Sequence, residues 1–347
     1  MTNCGVRDAV QKHAKYVNST DVMIRMQHRN EELLASCGLF NGESGWCRMA
    51  DAVRVVALQY LSGVRASARL FYYPGSDLKI ADKLLSLFSR SGAEHFVEVF
   101  GGSGVVTYRV AVRGMFKTIV YNDVDDLLTD TFAAVRDMPQ EVAWRLLTTP
   151  CSRRYWQRVA RAIRTGEIRY WTRADRAAAV IYYHHLSIAG SANRTSSFFA
   201  TRARADGSIA SRCGELAAVA AAVLEWAVAW RPVAIENMDF RRVIQTYDRE
   251  RTLFYCDPPF VAERWGRYYR RGFEHRDMQD LIELLHSIKG KFVLKLTDRN
   301  LKYDYVRGFA RKYAVETLDV RVTNKRKDEG RIVLIHNMPG LDMWLRT

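Results

Sequence analysis

Phe96-Val97-Glu98-Val99-Phe100-Gly101-Gly102-Ser103-Gly104 is the stretch on which the fold turns. It reads as a short apolar strand running into a glycine turn at the start of a helix. Glycines there let backbone approach a ligand closely, and the free amides of a helix N-terminus supply donors. The next apolar run, Thr118–Tyr121, ends in Asn122-Asp123, and Asp123 lies 19 residues after Gly104. A carboxylate at that strand tip can accept both hydroxyls of a ribose. Strand, glycine turn, helix, second strand and acid together favour a nucleoside-containing cofactor. A nicotinamide dinucleotide competes with this, but the third glycine of G-x-G-x-x-G is replaced by Thr107.

Outward from this unit the pattern repeats. Thr252–Cys256, Phe292–Leu296 and Ile332–Ile335 are further short apolar runs bounded by turn or charged residues. Helical segments at Asp77–Phe88, Val124–Val135 and Met278–Ile288 lie between or beside them. Alternating strands and helices predict an α/β sheet with helices on both faces. Residues 138–232 differ, being Ala- and Arg-rich and helical with no strong strand, and read as a domain inserted between catalytic segments 69–137 and 233–347. Residues 1–68 read as a helical extension, with helices at Asp21–Ser36 and Met49–Leu61 around the Asn41–Gly45 break.

Asp257-Pro258-Pro259-Phe260 follows the strand Thr252–Cys256 directly. Two prolines stiffen the exit and remove two N–H donors, leaving carbonyls that only accept. An acid, a proline carbonyl and an aromatic ring suit a planar amine: the first two accept its protons and the ring stacks on its face. In isolation the same four residues make a rigid turn with a capping Asp. The upstream glycine loop tips the reading toward chemistry.

Charge narrows the partners. The chain of 347 residues carries 53 Lys and Arg against 38 Asp and Glu, a net +15. Only 12 of the 53 are Lys, and between Cys151 and Ala220 there are 12 Arg, no Lys and 4 acids. Eight of those Arg fall in 153–176, interleaved with Tyr155, Trp156, Tyr170 and Trp171. Basic residues laced with aromatics suit nucleic acid better than a membrane, because no continuous apolar face accompanies them. The apolar run Leu216–Leu224 is short of the roughly 20 residues a span needs, and no signal-like segment opens the chain. Six Cys without a C-x-x-C pair fit neither a disulfide framework nor a zinc site, so free thiols in a reducing compartment and no metal are expected.

Over about residues 72–337 the chain resembles the Dam-like DNA adenine methyltransferases, with the family's elements in order. Tyr72-Tyr73-Pro74-Gly75 is similar to their first cofactor motif, Phe96–Gly104 to the cofactor loop, and Asn122-Asp123 to the ribose acid. Ala177–Gly190 with Ser191–Phe199 loosely resembles the start of the recognition domain. Ile235–Phe240 leading into Tyr255–Phe260 is the most specific stretch. The resemblance implies a Rossmann-like class I methyltransferase sheet and S-adenosylmethionine held by Tyr73, Pro74, Gly75, Lys79, Glu98, Phe100, Gly101, Gly102, Ser103, Gly104, Asp123, Phe240 and Asp257. It implies catalysis by Asp257, Pro258, Pro259 and Phe260 on an adenine flipped from double-stranded DNA. It places the recognition domain in the Arg-rich insertion, with Arg153, Arg154, Arg158 and Arg161 on phosphates and Arg194, Arg202 and Arg204 toward bases. A cytoplasmic setting with the DNA follows.

The chain departs from the family at three places. Gly75-Ser76-Asp77 stands where the family has Gly-Gly-Lys, with Lys79 two positions on; Phe260 stands where Tyr is commoner; and about seventy residues precede the first motif. Cytosine's exocyclic amine, adenine in RNA, a catalytically dead DNA-binding relative and a nucleotide-dependent oxidoreductase are the rival readings.

Overall fold

The computed structural model describes residues 63–64, 66–187, 201–203, 209–259, 261, 272–321 and 331–338. The two helices expected within 1–68 lie outside them, as do Phe260, Arg194 and Arg204. Residues 67–347 form one compact unit.

Its centre is a seven-stranded sheet: β1 (His95–Glu98), β2 (Thr118–Asn122), β3 (Val233–Glu236), β4 (Thr252–Cys256), β5 (Lys291–Thr297), β6 (Ala314–Arg321) and β7 (Arg331–His336). Their order is β3-β2-β1-β4-β5-β7-β6. The first five strands pair in parallel, and β7 runs antiparallel between β5 and β6. This is the α/β sheet of class I methyltransferases. Every residue of β4 is buried, as expected for a parallel strand covered on both faces.

Alternation along the strands assigns the two layers. Val97, Val120, Phe254 and Phe292 share a core with helices α8 (Phe240–Tyr247), α9 (His275–Ser287) and α10 (Asp304–Ala310). Their neighbours Phe96, Tyr121 and Tyr255 point the other way. Phe96 and Tyr255 meet Phe88 of α1 (Ala81–Phe88) at ring distances of 5.4 Å. Tyr121 meets Phe132 of α3 (Asp126–Asp137) and Trp230 of α7 (Leu216–Trp230) at 4.9 and 5.0 Å. Helix α2 (Val105–Arg113) follows the glycine turn on this same side, where Tyr108 stacks on Trp226 of α7 at 4.3 Å.

Between α3 and β3 run α4 (Pro139–Thr148), α5 (Arg153–Thr165), α6 (Arg173–His185) and α7. Helix α5 starts at Ser152, whose hydroxyl accepts from the Tyr155 amide at 3.3 Å, and α6 at Thr172, which caps Asp175 at 3.2 Å. Helix α7 packs against α2, α3 and α4. The stretch Cys213–Trp230 is long and apolar enough to cross a membrane. Burial of Leu216, Val219, Ala220, Ala222, Val223, Trp226 and Trp230 in this bundle accounts for its composition.

Two expectations need correcting. The middle segment holds a short antiparallel hairpin, Thr201–Ala203 with Ile209–Ser211; strands of three residues are too short to show an alternating pattern. Cys151 and Cys213 form a disulfide, with Cα atoms 5.5 Å apart. The two are 62 residues apart in the chain, and spacing carries no signal for a pair that helix packing alone brings together. Cys256, buried in β4, is a free thiol as expected.

Candidate active site

β1 has β2 on one side and β4 on the other, so the chain's crossovers diverge at its carboxyl end, and open α/β sheets bind ligands at such a switch point. A cleft lies there, between the glycine turn, the tip of β2, the Tyr73–Asp77 segment and the Asp257–Pro259 exit of β4.

The glycine turn is shaped by backbone that side chains would spoil. Gly102 and Gly104 have φ of +49° and +65°, the left-handed region that glycine enters without strain. A Cβ on Gly104 would come within 2.8 Å of both Phe132 and Trp230. The buried Glu98 closes the turn from beneath, accepting the Thr107 amide at 2.9 Å and the Thr107 hydroxyl. Burial pushes its carboxyl well above the carboxylate range, against the pull of those donors. Ser103 donates to Ser76 at 3.2 Å, tying the turn to the opposite wall.

Asp123 caps this wall. Oδ2 accepts the Gly102 amide and Oδ1 the Asp125 amide, each at 2.8 Å. Burial raises its pKa to about 6 against the lowering effect of these amides. Asn122 holds the strand tip: fully buried, it donates to the Val99 and Met238 carbonyls and accepts the Met238 amide. Asn237 donates to the Asp123 carbonyl at 2.8 Å.

Across the cleft, Asp257 accepts from Lys295 of β5 at 2.8 Å through Oδ2 and keeps 17% of its side chain exposed. Lys295 also donates to Asp77 and, at 3.1 Å, to the Gly75 carbonyl. Asp77 in turn accepts the Tyr255 hydroxyl. Burial is the largest influence on Asp257 and lifts it above the ordinary range, with Lys295 pulling down and Asp77 pushing up. Lys295 stays charged: burial opposes its ammonium, but Asp257 and Asp77 outweigh it.

Tyr73, Pro74, Gly75, Glu98, Phe100, Gly101, Gly102, Ser103, Asp123, Asp257 and Pro259 therefore converge on one cleft. Pro258 is buried beside it and Gly104 starts the helix behind it. Phe240 is not at the surface of the cleft but packs behind Phe100, ring centroids 5.6 Å apart. Lys79 is exposed at the end of a short 3-10 turn and does not line the cleft. Lys295 and Asp77 were not singled out as a pair, since nothing local connects positions 218 residues apart; the exchange of Lys for Asp at position 77 was the available signal.

The arginines divide. Arg169, Arg173 and Arg176 pair with Asp126, Asp137 and Asp130 of α3 at 2.6, 2.6 and 3.1 Å. Arg153, Arg154, Arg158, Arg161 and Arg164 are exposed on α5. At 3.6 residues per turn they share one side, opposite the buried Trp156, Val159 and Ala162. Arg158 lies over the Trp171 ring at 5.4 Å. Arg202 is on the hairpin. Among the described residues no cluster of His, Cys, Asp and Glu is arranged to hold a metal ion.

The family model of the D12 class N6 adenine-specific DNA methyltransferases matches residues 73–323. No individually curated protein matches the chain significantly.

Proposed function

The chain belongs to this D12 family and methylates adenine N6 in DNA with S-adenosylmethionine, and from that premise we propose which of its residues do the work and on what form of DNA. Family membership decides against cytosine's amine, RNA adenine and the oxidoreductase.

The cleft fits the cofactor. Gly102 brings bare backbone to the surface where a Cβ would press on Tyr73 at 3.1 Å. Both oxygens of Asp123 keep lone pairs beyond their amide bonds for ribose hydroxyls. Tyr73, Pro74 and Gly75 form the facing wall. When bound, S-adenosylmethionine supplies an electrophilic methyl group on a sulfonium.

An adenine amine is a poor nucleophile, because its lone pair is delocalised into the ring. The Asp257 carboxylate and the Pro258 carbonyl accept its two hydrogens, which favours a pyramidal nitrogen with its lone pair free. Acceptors fixed in advance stabilise the charge that develops as the new bond forms, and alignment supplies effective molarities of order 10⁵ M or more. Phe260, outside the described residues, stacks on the base. Flipping that base out of a duplex costs a few kcal/mol, and stacking recovers part of it.

Double-stranded DNA is the proposed substrate, held by the α5 arginines. Residues 138–232 serve as the recognition domain, with Arg194, Arg202 and Arg204 toward bases, and the enzyme works in the cytoplasm. The observation that carries this reading is the meeting of Asp257 with the glycine turn and Asp123 in one cleft. The test is tritium transfer from S-adenosylmethionine into adenine-only and cytosine-only duplexes and into the single strands. Label in the adenine duplex alone is expected; label in single strands but not duplex overturns the duplex assignment.

A further inference from the structure

The two acidic side chains around Lys295 are not equivalent. Lys295 has three N–H donors, and Asp77, Asp257 and the Gly75 carbonyl take all three. Asp77 has both oxygens engaged, one on Lys295 and the other on the Tyr255 hydroxyl. Asp257 spends only Oδ2, and among the described residues nothing donates to Oδ1. The side chain of Lys295 is 5% exposed and that of Asp77 6%, whereas Asp257 keeps 17% exposed. Breaking such a buried pair from one side leaves an uncompensated charge, so each member constrains the others strongly.

We propose that Lys295 is a positioning residue for methyl transfer: from β5 it holds Oδ2 of Asp257 and so turns the unused Oδ1 toward the substrate amine, while Asp77 and Tyr255 anchor Lys295. In chains with Gly-Gly-Lys the ammonium belongs to the first motif. Here that position is Asp77, and the ammonium that meets it comes from Lys295 of β5. The Lys295–Asp77 pair gives an acid at this position of the motif a partner within the fold. The inference rests on Asp257 being the acceptor for the amine.

The groups facing Asp257 are Lys295 from β5, Asp77 from the first motif, Glu98 from β1, and Tyr255 and Cys256 from β4. Of these, Lys295 favours the charged carboxylate and Asp77 opposes it. Removing each should therefore move the ionisation of Asp257 in opposite directions, which a merely structural role for the cluster would not do.

Two readouts test this on the full chain. One is the Cγ titration of Asp257 in protein labelled with 13C-aspartate, without cofactor or DNA, its resonance identified by loss in Asp257→Asn. The other is the pH profile of single-turnover methylation of unmethylated mixed-sequence duplex DNA. Lys295→Met is expected to raise the Asp257 midpoint, and the acid limb of the rate, by about one pH unit or more. Asp77→Asn is expected to lower both, and this arm stands if Lys295→Met does not fold. Midpoints that stay put, or shift the same way in both folded variants, overturn the role of Lys295. An active Asp257→Ala enzyme overturns the acceptor assignment beneath it; an inactive one with unmoved midpoints in Lys295→Met and Asp77→Asn overturns the Lys295 role alone.

Discussion

Asp123 and Asp257 each stand at the carboxyl end of a central strand. The Gly102 amide on Asp123 and the Lys295 ammonium on Asp257 reach them from other segments of the chain. Asp123→Ala should weaken S-adenosylmethionine binding at least about tenfold, the loss of a charged acceptor being worth roughly 1.5–3 kcal/mol. Calorimetric titration of the folded variant checks it, and unchanged affinity would remove Asp123 from the ribose site. An ordinary Asp keeps its charge down to about pH 4, but Asp123 gains a proton near pH 6. The hydroxyls prefer the charged form, so cofactor affinity should fall as pH drops through about 6, and Asp123→Asn should flatten that fall. At the exit of β4, Phe260→Ala should cripple turnover while Phe260→Tyr is tolerated, because stacking needs only the ring.

Among the elements, the strands read from sequence were those with buried apolar runs. The two that were not read, β3 and β6, are the edges of the sheet. Ala234 of β3 and Val315 and Thr317 of β6 are exposed, and Glu316 interrupts the apolar pattern of β6. An edge strand carries polar residues on its open side, so it lacks the continuous signal of a central one. The glycine turn was legible as a turn, but its contact with the inserted helices was not. Gly104→Ala forces a left-handed residue and a Cβ into Phe132 and Trp230. The overpacking alone should cost about 1–3 kcal/mol, seen as a lowered Tm with residual secondary structure intact. Helix α5 should behave as a phosphate-binding face. Each Ala replacement of Arg153, Arg154, Arg158 or Arg161 should lower the salt slope of log affinity for duplex by about 0.9. Replacing Arg194, Arg202 or Arg204 should instead relax preference at one base position, at about 1–3 kcal/mol. If neither set changes slope, affinity or preference, the DNA surface lies off the insertion.

For the whole molecule, a net charge of +15 pointed to a polyanion, and the arginines of residues 153–176 fall into two groups. Arg169, Arg173 and Arg176 neutralise the acids of α3, while α5 presents its arginines outward. Composition cannot separate these roles, because pairing depends on which helices pack together. Packing likewise decides the Cys151–Cys213 bridge, which joins the segment before α5 to the turn before α7. The central assignment is that Asp257 acts in chemistry and not in binding. The most direct measurement compares wild type with Asp257→Ala for tritium transfer into duplex DNA and, separately, for affinity to the same duplex. Transfer should be abolished while affinity stays within a few-fold of wild type. Transfer near the wild-type rate in the folded variant would contradict it.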